Sequence, residues 1–416
     1  MTEQKTLVPK RRFKEYQNTN AWEQFKLSDV AEYYDGTHQT PKYTDEGVKF
    51  ISVENIKNIW GTDKYISEND YEKQFKIKPQ INDIFMTRIT AGVIGDTALV
   101  EQDEPLAYYV SLALLRPKSI VPLYLEKYIN SPLFKNELHM RIIHTAFPKK
   151  INLGDIGECG FRIPNSKKEQ VQIGEFFKQL DDTITLHQHK LEKTKALKSA
   201  YLSEMFPAEG ECEPRRRFAG FTDAWEQRAL GDMMEVTSVK RIHQSDWTEK
   251  GVRFLRARDI VSASKGEEPA DYLYISKEKY DEYSQISGKV KVGDLLVTGV
   301  GSIGIPLLVE HEEPLYFKDG NVIWFKNENQ LDGNFLYYSF IGKNIQKYIR
   351  DVAGIGTVGT YTIDSGKKTP IQVPNISEQR KVGAFFRELD HLITLHQRKL
   401  EKLQSIKKAY LNEMFV

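Results

Sequence analysis

A long segment of this chain occurs twice, once in the middle and once at the end. Residues 176–206 read FFKQLDDTITLHQHKLEKTKALKSAYLSEMF, and residues 385–415 read FFRELDHLITLHQRKLEKLQSIKKAYLNEMF. Aligned from Glu169 and Glu378, the two copies are identical at 23 of 38 positions. A period of about 200 residues is far too long for a solenoid repeat. It predicts one domain and one helix in each copy.

Each copy has the pattern of a long amphipathic helix. Ser166 with Glu169, and Asn375 with Glu378, form the spacing of a capping box at a helix start. Apolar residues then recur at spacings of three and four for about five heptads, which is typical of a coiled-coil seam. A helix of this length extends about 55 Å at 1.5 Å per residue.

Two such helices in one chain are expected to pair with each other. We predict an antiparallel coiled coil with pseudo-two-fold symmetry, and a strand-rich domain before each helix. The predicted fold class is therefore α/β (α+β). The predicted divisions are a first domain over 1–165, a central helix over 166–206, a second domain over 207–374 and a C-terminal helix over 375–416.

The two domains share only short motifs, although the helices are nearly identical. AWEQ occurs at 21–24 and 224–227, and an apolar run followed by Thr and a Gly-rich turn occurs at 82–95 and 293–304. Two helices that pack against each other do not need identical polar faces, whereas helices that bind two copies of one partner do. A recent duplication that has not yet drifted is the alternative explanation of their identity. The polar pairs that we expect to dock a partner are Gln188, Lys190, Glu192 and Lys193, and Gln397, Lys399, Glu401 and Lys402.

The composition is that of a globular protein without a membrane span. Of 416 residues, 40% are hydrophobic and 28% are charged, and no apolar run is long enough to cross a bilayer. The first residues lack the apolar region of a signal peptide, and Cys159 and Cys212 are isolated, so we expect a reducing, cytoplasmic location. A net charge of +1 does not advertise nucleic-acid binding, but it can conceal basic faces.

Catalytic motifs are missing from the sequence. GVGSIG at 299–304 matches a dinucleotide fingerprint, but IPLLVE follows it and has the pattern of a strand instead of the required helix. There is no Walker motif, nucleophile elbow, zinc motif or adenine methyltransferase motif. We therefore expect no catalytic residue, no metal ligand and no resident cofactor.

The loops of both domains are rich in side chains that suit a polar polymer. Arg, Lys, Gln and His side chains can read base edges, and Ser, Thr and Lys can hold phosphates. The candidate DNA contacts are Thr37, His38, Thr40, Lys42, Thr87, Arg88, Lys149 and Lys150 in the first domain, and Lys240, Arg241, His243, Gln244, Thr298, Ser302, Thr360 and Tyr361 in the second.

Together these features resemble the specificity (S) subunits of type I restriction–modification systems. The resemblance rests on the duplicated helices, the AWEQ motifs and the T…G…IG turns, and it covers nearly the whole chain. The first turn departs from the family pattern because two extra residues separate Thr87 from Gly92. This departure affects where Arg88 is placed in the family pattern.

The resemblance implies a division of labour. Each domain would be a target recognition domain that reads one half of a split, asymmetric site in double-stranded DNA. The helices would set the spacer between the half-sites and dock two methyltransferase (modification) subunits, with restriction or motor subunits in the full complex. The chain itself would be non-catalytic, and S-adenosylmethionine, Mg²⁺ and ATP would belong to the partners.

Two other classes of function compete with this interpretation. A nuclease or methyltransferase with duplicated domains predicts a metal or S-adenosylmethionine site in the isolated chain. A duplicated-domain scaffold without DNA specificity predicts no sequence-selective DNA binding in any assembly. The divergence of the domains beside the constancy of the helices favours the specificity subunit.

Overall fold

The chain forms two compact units, each of which contains one domain and a part of both long helices. A computed structural model describes residues 7–354 and 359–415. Of these, unit 1 contains residues 7–188 and 398–415, and unit 2 contains residues 189–397. Among the described residues, no helix combines the length and apolar character that a membrane crossing requires.

Unit 1 begins with the N-terminal domain. Its strands are β1 (Glu23–Lys26), β2 (Ala31–Asp35), β3 (Tyr43–Thr44), β4 (Val48–Ile51), β5 (Tyr65–Ile66), β6 (Ile84–Thr87), β7 (Ile89–Thr90), β8 (Thr97–Leu99), β9 (Leu106–Tyr108), β10 (Leu112–Pro117), β11 (Lys149–Lys150) and β12 (Gly160–Ile163). Its helices are α1 (Leu27–Val30), α2 (Glu68–Gln74), α3 (Pro122–Ile129), α4 (Pro132–His139) and α5 (Leu153–Gly157), followed by the long α6 (Lys167–Glu204).

Unit 2 repeats this order, except that among its described residues a single bridge, Val300 to Thr360, stands in place of the strands β7 and β11. Its strands are β13 (Glu226–Ala229), β14 (Glu235–Thr237), β15 (Trp247–Thr248), β16 (Val252–Leu255), β17 (Leu273–Ile275), β18 (Leu295–Thr298), β19 (Pro306–Leu308), β20 (Leu315–Phe317), β21 (Val322–Lys326) and β22 (Pro370–Val373). Its helices are α7 (Leu230–Met233), α8 (Ala257–Ser264), α9 (Lys277–Ser287), α10 (Gly333–Ile341), α11 (Lys343–Ala353) and α12 (Ile363–Lys367), followed by the long α13 (Ile376–Glu413).

The sheets of the two units have the same topology. In unit 1 an antiparallel sheet has the strand order β2-β10-β6-β8, and a mixed sheet has the order β3-β5-β4-β9 with β4 and β9 parallel. In unit 2 the corresponding orders are β14-β21-β18-β19 and β15-β17-β16-β20, with β16 and β20 parallel. Each unit also pairs its first strand with its last, β1 with β12 and β13 with β22.

The long helices run antiparallel within each unit. In unit 1, Phe176 of α6 packs against Tyr410 of α13, with 5.1 Å between ring centroids, and Asp181 forms an ion pair with Lys407 one turn further along. In unit 2, Lys198 of α6 forms an ion pair with Asp390 of α13. Further along α6, Tyr201 packs against Phe385, which comes earlier in α13, so the two helices run in opposite directions. The predicted fold class, including the antiparallel pairing, is confirmed.

The AWEQ motifs anchor the ends of the helices in the domain cores. Trp22 is buried against Phe415, which follows α13, and Trp225 is buried against Phe206, which follows α6. These contacts explain why a tryptophan precedes the first strand of each domain. An aromatic ring of this size buries enough apolar surface to hold a helix end.

The helix starts are stabilised differently from the capping-box expectation. Ser166 and Asn375 do cap the amides of Glu169 and Glu378. The carboxylate of Glu169, however, accepts two hydrogen bonds from Arg12, at 2.6 and 2.8 Å, and that of Glu378 accepts an equivalent pair from Arg217. Arg12 and Arg217, each of which lies in a short run of basic residues, therefore hold buried carboxylates.

The predicted four-part division stays a prediction, because the structure groups each domain with parts of both helices. The observed helices begin and end inside the predicted ranges 166–206 and 375–416, and the described part of α6 is uninterrupted. The ranges 1–165 and 375–416 also include residues 1–6 and 416, which lie outside the described residues.

Candidate nucleic-acid interface

Three loops of unit 1 that carry predicted DNA contacts meet at one buried side chain, Arg88. Its Nη1 donates to the Asp35 carboxylate at the end of β2 and to the Val110 carbonyl oxygen (3.2 Å) before β10. Its Nε donates to the Ile151 carbonyl oxygen (3.3 Å) just after β11. A guanidinium is suited to this task because it presents several donors in a fixed plane. Arg88 therefore ties the loop 36–42 to the loop 144–151.

The loop after β2 is exposed and held at its base. Nε2 of His38 lies 2.8 Å from Oδ2 of Asp35, the carboxylate that also accepts from Arg88. Thr37 is half-buried and forms a bridge with Tyr109, whereas His38, Thr40 and Lys42 are exposed. Asp35 thus connects the exposed imidazole of His38 to the buried guanidinium of Arg88 and helps to orient it.

The glycine turns of both units are closed by a threonine hydroxyl. Thr87 Oγ1 donates to the Val93 carbonyl oxygen (2.7 Å) and accepts from the Asp96 amide (2.9 Å). Thr298 Oγ1 does the same with the Ser302 carbonyl oxygen and the Ile305 amide. Both threonines are buried. Their hydroxyls stabilise the turns, and a direct contact with DNA would require each turn to open.

The loop 144–151 presents cationic side chains on the outside of unit 1. Lys149 and Lys150 form β11, which pairs with β7 in the register Lys149 to Thr90 and Lys150 to Ile89. Both lysines are exposed. The amide of Ile151 donates to the Arg88 carbonyl oxygen (3.0 Å), so the loop is fixed on both the backbone and the side chain of Arg88.

A recess lies beside the glycine turn of unit 1. The side chains that line it include Asp96, Lys135, His139, His144 and Lys149. Burial lowers the pKa of the Lys135 ammonium group, and the Asp96 carboxylate partly offsets that effect. The recess therefore joins cationic and imidazole groups at the edge of the predicted contact surface.

Unit 2 presents a differently built first loop. The Lys240 amide donates to Ser287 Oγ (2.8 Å), and the Tyr316 hydroxyl donates to the Lys240 carbonyl oxygen (2.7 Å). Arg241 is exposed, with its Nε 3.6 Å from the Asp319 carboxylate. His243 and Gln244 are also exposed, at the start of a short 3-10 helix over Gln244–Asp246.

The late loop of unit 2 falls partly outside the described residues, which omit 355–358. Thr360 is exposed and forms a bridge with Val300, in the place that the β7–β11 pair occupies in unit 1. Tyr361 is buried, and its hydroxyl lies within hydrogen-bond distance of Thr369 Oγ1. Burial raises the pKa of the Tyr361 phenol. Ser302 is exposed at the tip of the glycine turn.

The position of Arg88 is occupied by glycine in unit 2. The amide of Gly299 donates to the Asn321 carbonyl oxygen and its carbonyl accepts from the Tyr361 amide, as the Arg88 backbone does with Ser111 and Ile151. A Cβ at Gly299 would lie 2.7 Å from the Tyr361 carbonyl oxygen, which excludes a side chain there. The sheet registers likewise put Ser238 in the place of Asp35. The buried Arg–Asp bridge is therefore a feature of unit 1 that unit 2 replaces with Gly and Ser.

The predicted docking residues lie on the central turns of the two long helices. Lys190, Lys193, Lys399 and Lys402 are exposed, as are Gln188, Glu192 and Glu401, whereas Gln397 is half-buried. Lys190 and Lys399 occupy identical positions in the repeat, and so do Lys193 and Lys402. Docking of a partner by these residues stays a prediction.

Some residues of this surface were predicted from the sequence, and others were missed. Contact of the sixteen candidate side chains with DNA stays a prediction; Thr87, Thr298 and Tyr361 are inaccessible in this conformation, and Arg88 acts mainly as a tie between loops. Asp35 was missed because its role depends on Arg88, 53 positions away. Phe147 was also missed, although an apolar residue between His144 and two lysines is a signal that could have been noticed. Among the described residues, no cluster of His, Cys, Asp and Glu has the proximity to hold a metal ion.

Two units with one sheet topology and unlike loops, each built on parts of two antiparallel helices, define a duplicated architecture. The family described as "Type I restriction modification DNA specificity domain" matches residues 20–196 and 222–405, which together make up most of the chain. The chain belongs to this family.

Individual relatives are distant and match in part. S.HindORF215P of Haemophilus influenzae, named a type I restriction enzyme specificity subunit, is 30% identical over 164 residues, which cover 39% of this chain and 40% of that protein. The MjaVIII specificity subunit of Methanocaldococcus jannaschii is 24% identical over 262 residues, or 59% of each chain. The chain thus spans between two-fifths and three-fifths of the length of these two relatives.

A solved structure supports the fold. The crystal structure of a type I restriction–modification system S subunit from M. genitalium has a TM-score of 0.62 to this chain at 15% identity. The superposition covers 98% of this chain and 99% of the other. At this level of identity the similarity shows that the two proteins share a fold.

Proposed function

We propose that this chain is the DNA sequence-specificity subunit of a type I restriction–modification complex, in which each unit reads one half of a bipartite, asymmetric site. The observation that carries the proposal is the contrast within the repeat. The sheets of the two units share one topology, but the residues at the loop junctions differ. The positions of Arg88 and Asp35 in unit 1 are occupied in unit 2 by Gly299 and Ser238. A scaffold kept constant while its loops change is suited to reading two different half-sites.

The side chains on these loops support readout of duplex DNA. Several candidate side chains are exposed on loops whose ends are fixed by hydrogen bonds or strand pairing. They are His38, Lys149 and Lys150 in unit 1, and Arg241 and Gln244 in unit 2. Lysine and arginine neutralise phosphates, and arginine, glutamine and histidine can hydrogen-bond to base edges. Loops with fixed ends favour tight binding because less side-chain and loop entropy is lost when they bind.

The helices would provide the assembly function. Identical exposed lysines at 190 and 399, and at 193 and 402, supply equivalent docking surfaces for two copies of one modification subunit. The chain would be non-catalytic and cytoplasmic. The S-adenosylmethionine, Mg²⁺ and ATP would be bound by the methyltransferase and by the restriction or motor subunits of the full complex.

Methylation mapping tests this proposal directly. The chain and the methyltransferase encoded beside it are expressed in a host without adenine methylation, and modified bases are located by long-read sequencing. We expect one bipartite motif that disappears when this chain is omitted. Methylation that is independent of the chain, or none with a methyltransferase shown to be active on its own substrate, would favour a scaffold without DNA specificity.

Two altered chains separate half-site reading from spacing. Exchange of residues 1–165 for the corresponding domain of another family member is expected to change one half-site only. Insertion of one or two helical turns after Leu191 is expected to lengthen the spacer and leave both half-sites unchanged. An insertion that altered the bases read would contradict the assigned role of the helices.

A further inference from the structure

The most exposed large apolar side chain among the described residues is Phe147, which lies at the centre of the loop 144–151. It is 95% exposed, and the next such residue, Met140, is 69% exposed. Phenylalanine is normally among the residues that proteins bury. A ring left almost entirely in water, in a loop fixed at both ends, therefore calls for a binding role.

The loop that carries Phe147 is anchored on both sides. Ile143 forms a bridge with Lys150, and the amide of Ala146 donates to the Ile143 carbonyl oxygen (3.3 Å). Beyond Phe147, β11 pairs with β7, and Ile151 is bound to Arg88 through both backbone and side chain. The ring is thus presented on a closed loop next to the junction that also holds Asp35 and His38.

The surroundings of the ring are cationic. Lys149 and Lys150 are exposed, and within residues 7–354 and 359–415 neither forms an ion pair with a carboxylate. Lys149 also lines the recess together with His139 and His144, whose ring centroids lie 4.7 Å apart. An apolar ring among unpaired cations matches a polyanion with apolar faces between its charges, which describes stacked bases between phosphates.

We propose that Phe147 is a wedge that unstacks a base step in the DNA half-site read by unit 1, while Lys149 and Lys150 hold the adjacent phosphates. Proteins that bend DNA insert apolar side chains of this kind between base pairs, and the kink brings more of the duplex into contact. The inference rests on the proposed function, because it requires the chain to bind duplex DNA.

Among the described residues of the corresponding segment of unit 2, no aromatic side chain is exposed as Phe147 is. The corresponding segment of unit 2, residues 354–361, has the sequence GIGTVGTY, and its aromatic residue, Tyr361, is buried. The kink is therefore expected in one half-site and not in the other. This one-sidedness distinguishes a wedge from a general effect of positive charge on the duplex.

The experiment uses the complex of this chain with its methyltransferase on a duplex that contains the mapped bipartite site. 2-Aminopurine replaces a base other than the methylated one, first in one half-site and then in the other, so that its fluorescence reports unstacking by the wedge and not the flipping of the target base by the methyltransferase. Energy transfer between dyes at the duplex ends reports bending. The variants are Phe147→Ala and Phe147→Trp. Ile81→Ala is the matched control, because Ile81 is an exposed apolar residue of unit 1 outside the three loops.

We expect Phe147→Ala to abolish the 2-aminopurine signal in one half-site, to reduce the bend, and to weaken binding roughly 5- to 150-fold, the range for loss of one base–aromatic stack. Phe147→Trp should retain the signal, and Ile81→Ala should match the wild type. Because Phe147 makes so little contact within the chain, its truncation leaves the fold intact, which circular dichroism verifies.

Other outcomes would overturn the assignment. Unchanged binding, bending and fluorescence in Phe147→Ala would exclude a wedge. A loss of methyltransferase from the purified complex, with DNA binding preserved, would assign the ring to a protein contact instead. If the wild-type complex bound no bipartite site, the proposed function itself would be wrong and this inference would fall with it.

Discussion

Replacement of Arg88 by methionine tests whether one buried cation organises the reading loops of unit 1. In the native chain its guanidinium donates to the Asp35 carboxylate and to the carbonyl oxygens of Val110 and Ile151, at 3.2 and 3.3 Å. Removal of one partner of a buried ion pair costs about 3–5 kcal/mol. Asp35 keeps 26% of its side chain exposed and can be partly hydrated, so we expect a loss of about 2–3 kcal/mol.

The consequence for function is local. With the tie removed, the loop 36–42 and the loop 144–151 lose their common anchor, so the half-site read by unit 1 should become degenerate or weaker. The half-site read by unit 2 should be unchanged, because Arg88 belongs to unit 1 and its counterpart in unit 2, Gly299, has no side chain that could tie loops together. Denaturant unfolding measures the stability, and methylation mapping measures both half-sites in the same sample.

Two controls accompany this variant. Arg88→Lys keeps the charge but loses the planar set of donors, so it should restore part of the stability and part of the specificity. Arg241→Met removes an exposed arginine of unit 2 and should leave the stability nearly unchanged. Equal loss of specificity in both half-sites, or no change in either stability or specificity for Arg88→Met, would refute the role assigned to Arg88.

Other expectations follow from buried polar groups and thiols. Arg12→Met leaves the buried carboxylate that it binds without its partner and should cost about 3–5 kcal/mol by calorimetry or denaturant unfolding, whereas Arg11→Met, in an exposed pair, should cost much less. Thr298→Val keeps the shape of the side chain but leaves an amide and a carbonyl of the glycine turn unsatisfied; a loss of about 1–3 kcal/mol in unfolding experiments is expected, and a neutral result would contradict the role of the hydroxyl. Burial raises the pKa of the Cys159 thiol to about 12, so iodoacetamide at pH 8 should label Cys212 and not Cys159, as peptide mass spectrometry would show.

The candidate site was only partly predictable, and the reason is visible in particular residues. His38 and Lys149 were proposed as DNA contacts because polar side chains in turn-rich segments are recognisable from local sequence, and the structure places both on exposed loops. Arg88 was identified as a DNA contact, but its partners Asp35 and Ile151 lie far away in the chain, and its role as a tie depends on them. Thr87 and Thr298 show the same limitation, since an apolar run followed by a glycine turn does not reveal where a hydroxyl points.

What the sequence determined by itself is the architecture. A duplicated heptad pattern specifies two long helices, and the apolar seam on each implies that they pair, because helix and seam are both read from local periodicity. Tertiary structure alone decided that Arg12 and Arg217 hold buried carboxylates, that Arg88 joins three loops, and that Phe147 is left in water. Each of those facts depends on which distant groups come within a few ångströms, and hydrogen bonding and burial are set by that proximity.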